Sequence, residues 1–196
     1  MGIVAAGFSM SLDGFIAGPN DDVTRLFKWY SMGDIVVKMP SGDREFQVSS
    51  DSAQVVEDAA QAVGALVYGR RTFEIAHAWG GKHPLDVPMV ILTHTVPQEW
   101  VKPGSPFTFV TDGIESAIAQ AKKIAGNKTV AIGSGTTTQQ CIQAGLLDEI
   151  HIDLVPVLLG DGIRLFDHLG AVQIELESTN VINAPGVIHL TFRVVR

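Results

Sequence analysis

The chain carries one cysteine, Cys141, in 196 residues. A lone thiol excludes an internal disulfide and any zinc site built from cysteines. Basic residues are scarce, with 14 Lys and Arg against 21 Asp and Glu and a formal net charge of −7. That balance excludes the broad positive field of a general nucleic-acid binder. No uncharged apolar run approaches the roughly 18 residues of a membrane-spanning helix. The first residues lack a basic stretch and a small-residue cleavage pattern, so no export signal is expected and the cytoplasm is the expected compartment. Low-complexity tracts, internal repeats and linker-like segments are missing too. What remains is 46% apolar and 18% charged, the composition of an ordinary globular protein, and one domain over residues 1–196 is expected.

Apolar patterning gives the elements. Residues 3–10 are apolar on both faces, as in a central strand. Asp13-Gly14 then turns the chain, Phe15-Ile16-Ala17 follows, and Gly18-Pro19 turns it again. Three apolar residues held between two turns read as a flap that covers something apolar. In the stretch 19–50, Leu26, Phe27, Trp29 and Tyr30 fit a short apolar helix, and the whole reads as an insertion or lid. A helix is predicted over 52–63, capped by Asp51 or Ser52. Another is predicted over 113–125, with Asp112 and Glu115 spaced as a capping box, and a third over 136–144. Strands are predicted at 65–68, 88–93, 107–110, 129–132, 149–157, 174–177 and 187–195. Strands alternate with helices for two-thirds of the chain, and strands close it. The fold class is α/β, with a mostly parallel central sheet and an antiparallel C-terminal edge.

In such sheets ligands sit beyond the carboxyl ends of the strands. Gly133-Ser134-Gly135-Thr136-Thr137 joins a buried strand to a helix start, where free N–H groups and the helix dipole suit a diphosphate. No Lys follows, so it is not a Walker loop, and Thr138 replaces the third glycine of the dinucleotide fingerprint. A plain tight turn is the alternative. Gly69-Arg70-Arg71-Thr72 is a second strand-to-helix junction, and its arginines can pair with phosphate; the alternative is a solvated surface pair. Thr93 and His94 end the neighbouring strand and can complete that subsite. Two anion sites on one edge suggest one long ligand with separated phosphates, which is the shape of NADPH. The flap would then cover the nicotinamide and exclude water. Asp51 and Asp13 are the candidate proton donors, and each can instead serve as a helix cap or a turn residue. Cys141 and His151 read as packed residues.

Five segments together resemble the dihydrofolate reductase-like superfamily. They are Ser11-Leu12-Asp13-Gly14, Gly69-Arg70-Arg71-Thr72-Phe73, Gly133-Ser134-Gly135, residues 144–149 and residues 155–166. The branch they are most similar to is the reductase domain of bifunctional riboflavin-biosynthesis deaminase/reductase proteins. The resemblance implies a three-layer sandwich, an NADPH-dependent reduction of a small pyrimidine or pterin-like substrate, and a homodimer with residues 155–166 near its interface. It places Ala6 near the nicotinamide carboxamide and Ile16 and Gly18 in the flap. It puts Gly69, Arg70, Arg71 and Thr72 on the phosphates, Thr93 and His94 by the adenosine ribose phosphate, and Gly133 to Thr137 around the diphosphate. No metal is implied. Two positions depart from the riboflavin reductases: Gly7 stands where they carry a Lys, and Ile132 where they carry an acid. The neighbouring alternatives are dihydrofolate reductase proper, which would need an acid such as Asp51 at the start of the 52–63 helix, and a nucleotide-binding module without catalysis.

Overall fold

The apolar runs of the sequence become the middle of one sheet. The computed structural model describes residues 2–170 and 173–195. In chain order its strands are β1 (Val4–Ser11), β2 (Phe15–Ala17), β3 (Ile35–Lys38), β4 (Glu45–Val48), β5 (Val63–Gly69), β6 (Met89–Leu92), β7 (Phe107–Val110), β8 (Thr129–Ile132), β9 (Glu149–Val155), β10 (Ile163–Arg164), β11 (Leu176–Ala184) and β12 (Val187–Val194). The helices are α1 (Ser50–Ala62), α2 (Arg70–Ile75), α3 (Ile114–Ala125) and α4 (Gly135–Gln143). Eight strands form the main sheet in the order β11-β12-β9-β1-β8-β5-β6-β7. The run from β9 to β7 is parallel, and β12 and β11 add antiparallel strands at the C-terminal edge. The mostly parallel sheet with an antiparallel edge is the architecture expected.

Alternation along the strands divides the core. Val4, Ala6, Val67, Val90, Val130, Ile132, Ile150 and Ile152 face α3 and α4, where Ile114, Ala117, Ile118, Ala121 and Cys141 complete one cluster. The α3 residues recur at helical spacing, so a single stripe is buried. The opposite face carries two clusters. One joins α1, through Ala53 and Val56, to Leu26, Trp29, Val37 and Val48 and to Val155 and Val187. The other joins Phe73 of α2 to Leu66, Met89, Ile91 and Phe107. The result is three layers.

The departures have local causes. Residues 35–48, within the segment read as a lid, form the β3–β4 hairpin, and Trp29 and Tyr30 sit in a 3-10 turn rather than an α-helix. α1 is capped by Ser49, whose hydroxyl accepts from the Ser52 N–H at 3.2 Å, and not by Asp51 or Ser52. α3 has no side-chain capping bond; Gly113, at φ 109°, opens it instead. That φ lies in the left-handed region that favours glycine.

Candidate functional site

Because β1, β8, β5 and β6 are parallel, their carboxyl ends share one edge of the sheet. There the Gly-rich turn after β8 meets the end of β5. The Gly69 N–H donates to Ser134 Oγ at 2.9 Å, and that hydroxyl donates to Thr72 Oγ1 at 2.8 Å. Ser134 therefore does not cap its own helix, and no side chain among the described residues caps the start of α4. The first-turn N–H groups of α4 are left for an acceptor from outside. Only glycine lets the turn pass so close: a Cβ on Gly133 would lie 2.2 Å from the Tyr68 ring.

The phosphate candidates gather beside this turn. Arg70 donates to the Thr95 carbonyl at 2.7 Å and pairs with Glu74. Thr93 Oγ1 donates to the same carbonyl at 2.9 Å, so Arg70 and Thr93 are brought together. His94 is exposed next to them. Arg71 is 73% exposed and pairs with Asp21 at 2.9 Å.

The flap is a built element. β2 pairs with β10, and Ile16 reaches over the Gly-rich turn, with its Cδ1 3.0 Å from where a Gly135 Cβ would be. Gly18 is buried, and its N–H donates to the Asp22 carbonyl at 2.8 Å. Asp13 clasps the flap to the segment after β9. Its carboxylate accepts from the Ser11 hydroxyl at 2.6 Å and from the N–H groups of Leu159 and Gly160 at 3.1 and 2.8 Å. These donors, the Ser11 hydroxyl first, pull its pKa down to about 2. Arg164 donates to the Asp13 carbonyl and lies 4.3 Å above the Phe15 ring. A carboxylate held ionised this way is a poor proton donor.

Two more candidates lie elsewhere on β1 and α1. Ala6 pairs in register with Ile132, the last residue before the Gly-rich turn, and its side chain is buried in the α3 face. Asp51 is exposed on the first turn of α1.

The face under α1 and α2 shows a feature that sequence reasoning did not find. Gly7 lies in β1, inside the sheet, yet it is exposed, and a Cβ there would meet nothing within 4 Å. The sheet has an open floor between the two apolar clusters. Register puts His151 beside Gly7 and Asp153 beside Ser9. His151, expected to be packed, has a side chain 44% exposed and pairs with Glu149. Ser9 accepts from Trp29 Nε1 at 3.0 Å, and Trp29 stacks on Tyr30, which stacks on Phe46. Across the floor Tyr68 lies 4.6 Å from Trp79 and contacts His83. Burial pushes the Tyr68 hydroxyl up; burial and the charge of Asp153 do the same for Tyr30. Asp153 in turn holds His189 of β12, and His189 contacts Ser52 of α1. The available signal was the alternation Glu149, His151, Asp153 in the strand on which His151 reads as packed.

Residues 3–190 match the family model described as the RibD C-terminal domain. YwjB of Bacillus subtilis, an uncharacterized protein, is 24% identical over 193 residues, 92% of each chain. Among solved structures, the chain is similar to a Shewanella sp. PV-4 protein described as a riboflavin biosynthesis protein, at a TM-score of 0.74 and 22% identity over 100% of both chains. It is also similar to dihydrofolate reductase of Enterococcus faecalis in complex with NADP(H), at a TM-score of 0.59 and 14% identity over 99% of this chain and 97% of that one. The fold is dihydrofolate reductase-like, as the motifs implied.

Proposed function

The chain belongs to the RibD C-terminal domain family, and from that premise we propose that it works as a single-domain reductase that takes hydride from NADPH and reduces a small heterocycle. The observation that carries the reading is the uncapped start of α4, with Ser134 turned to Gly69 and Thr72 and with Ile16 overhead. These residues fit a dinucleotide. The N–H groups of Gly135, Thr136 and Thr137 would take the diphosphate, with Gly133 and Gly69 allowing close approach. Arg70, Arg71 and Thr72, with Thr93 and His94, would hold the adenosine-side phosphate. Ile16 and Gly18 would close the flap over the ring and keep water out. When bound, the dihydronicotinamide supplies the hydride, and the protein supplies orientation and electrostatics.

The substrate side of this reading is the open floor at Gly7, walled by Trp29 and Tyr30 on one side and by Tyr68 and Trp79 on the other. The activity it resembles is that of 5-amino-6-(5-phosphoribosylamino)uracil reductase. Dihydrofolate reductase proper has less support, because the acid it needs at the start of α1 would be Asp51, which is exposed. A homodimer is part of the proposal: Leu158, Ile163 and Phe166 are exposed, as are Leu176 and Val181 of β11.

Thermal unfolding with excess NADPH, and with NADH beside it, tests the cofactor. Ligand at 100 times its dissociation constant adds about 2.7 kcal/mol, which raises the midpoint by about 5–10 °C in a chain of this size. A clear rise with NADPH and little with NADH is the expected result. No shift with either at millimolar concentration would sink the reading and favour a module that does not use this cofactor.

A further inference from the structure

Beside the open floor, α1, β12 and β9 join four polar side chains in a directed chain. Ser49 Oγ donates to Ser52 Oγ at 3.2 Å, Ser52 Oγ lies 2.9 Å from His189 Nε2, and His189 Nδ1 lies 2.7 Å from Asp153 Oδ1. An ionised carboxylate only accepts, so Nδ1 carries the proton of a neutral His189, and Nε2 accepts from Ser52. All three hydrogen bonds then point toward Asp153. Ser52 and His189 are sealed, at 1% and 5% exposure. The Asp153 side chain is not, and keeps 25% of its surface. Oδ1 is satisfied by His189, while Oδ2 makes no hydrogen bond among the described residues. Ser9, its register neighbour, accepts from Trp29 and keeps its own hydroxyl proton to give. A fixed acceptor therefore sits beside a donor, next to a wall of stacked rings.

The charges around this pair are mostly acidic or already paired. Glu149 holds His151, Arg193 is tied to Glu177, and Gly7 adds no side chain. Arg44 is the cation beside His83, on the far wall. Of these cations only Arg44 has no ion pair among the described residues, and it stands across the floor from the carboxylates of Asp153 and Glu149.

We propose that Asp153, oriented by His189, is the specificity-determining residue of the substrate pocket, and that it selects a flat heterocycle with an N–H donor edge and no phosphate. This rests on the reductase reading and narrows its substrate. Asp153 accepts from the ring N–H or amino group, Ser9 donates to an adjacent carbonyl, and Trp29 and Tyr30 cover one side. A phosphorylated sugar on the same ring would meet Asp153 and Glu149 instead of a cation.

Calorimetric titration with three probes tests this. The first is isocytosine, which presents amino, ring N–H and carbonyl groups. The second is 1,3-dimethyluracil, which has no donor. The third is 5-amino-6-(5-phosphoribosylamino)uracil. Wild type should bind isocytosine in preference to the other two. Asp153→Asn should weaken isocytosine at least tenfold and leave dimethyluracil unchanged. His189→Gln, which keeps a donor for Asp153, should lose only a few-fold and guards against an Asp153 variant that fails to fold. No isocytosine binding to wild type, equal binding to Asp153→Asn, or tighter binding of the phosphorylated probe overturns the proposal. NADPH shifts on the same proteins keep the two readings apart: an intact NADPH shift with no probe discrimination removes this inference alone, and a missing shift in wild type removes the cofactor reading alone.

Discussion

Ser134 Oγ accepts the Gly69 N–H at 2.9 Å and so ties the end of β5 to the turn after β8. The same bond turns Ser134 away from its own helix and leaves α4 uncapped. Two anion candidates that lie far apart in sequence are thereby locked to one another.

Replacing Ser134 with Ala leaves the Gly69 N–H without its acceptor and Thr72 without its donor. An unsatisfied buried group costs about 1–3 kcal/mol. The urea midpoint should fall with an unchanged slope, and the NADPH-induced shift should shrink. An unaltered midpoint would mean that the lock contributes nothing.

Gly162, at φ 134°, passes under the flap, where a Cβ would lie 2.0 Å from the Ala17 carbonyl oxygen. Gly162→Ala must push β2 away from β10 and adopt a backbone that L residues rarely take. A loss of about 1–3 kcal/mol is expected, together with faster proteolysis between residues 12 and 22. Wild-type stability and cleavage would show that the flap is not held by this contact.

Arg71 is exposed and, among the described residues, paired only with Asp21. Surface pairs contribute about 0–1 kcal/mol, so Arg71→Ala should barely move the melting temperature. If Arg71 reaches the extra phosphate of NADPH, affinity should fall about tenfold, the scale of one charge-assisted hydrogen bond. NADH affinity should stay as it was. Equal losses for both nucleotides would remove Arg71 from the phosphate subsite.

The parts legible in the sequence are those fixed by periodicity and turn chemistry. α3 announces itself through Ile114, Ala117, Ile118 and Ala121, and the β8–α4 turn through its glycines. The β3–β4 hairpin does not, because Ile35 and Val36 are exposed and only Val37 of β3 is buried. The Asp153–His189–Ser52 chain was hidden for a different reason. Its partners are 36 and 137 residues apart, and only the sheet register and the seat of α1 bring them together.

Two groups divide the acid response of the protein into separate windows. Burial, with the charge of Arg44 added, lowers the His83 pKa from 6.5 to about 4. Its Nδ1 accepts the Leu85 N–H at 3.1 Å, so Nε2 carries the proton toward the Tyr68 hydroxyl, and a second ring proton would break the Leu85 bond. The unfolded chain binds that proton more readily than the folded one. The stability involved is complete above pH 6.5 and is lost as pH falls toward 4. Asp13 follows lower down: its pKa drops from 3.8 to about 2, so its contribution is present above 3.8 and lost as pH falls to 2. Urea midpoints measured against pH should show both windows. His83→Gln should flatten the upper one and spare the lower, and Asp13→Asn should do the reverse. A single acid transition untouched by either substitution would show that neither the His83 wall nor the Asp13 clasp governs the response.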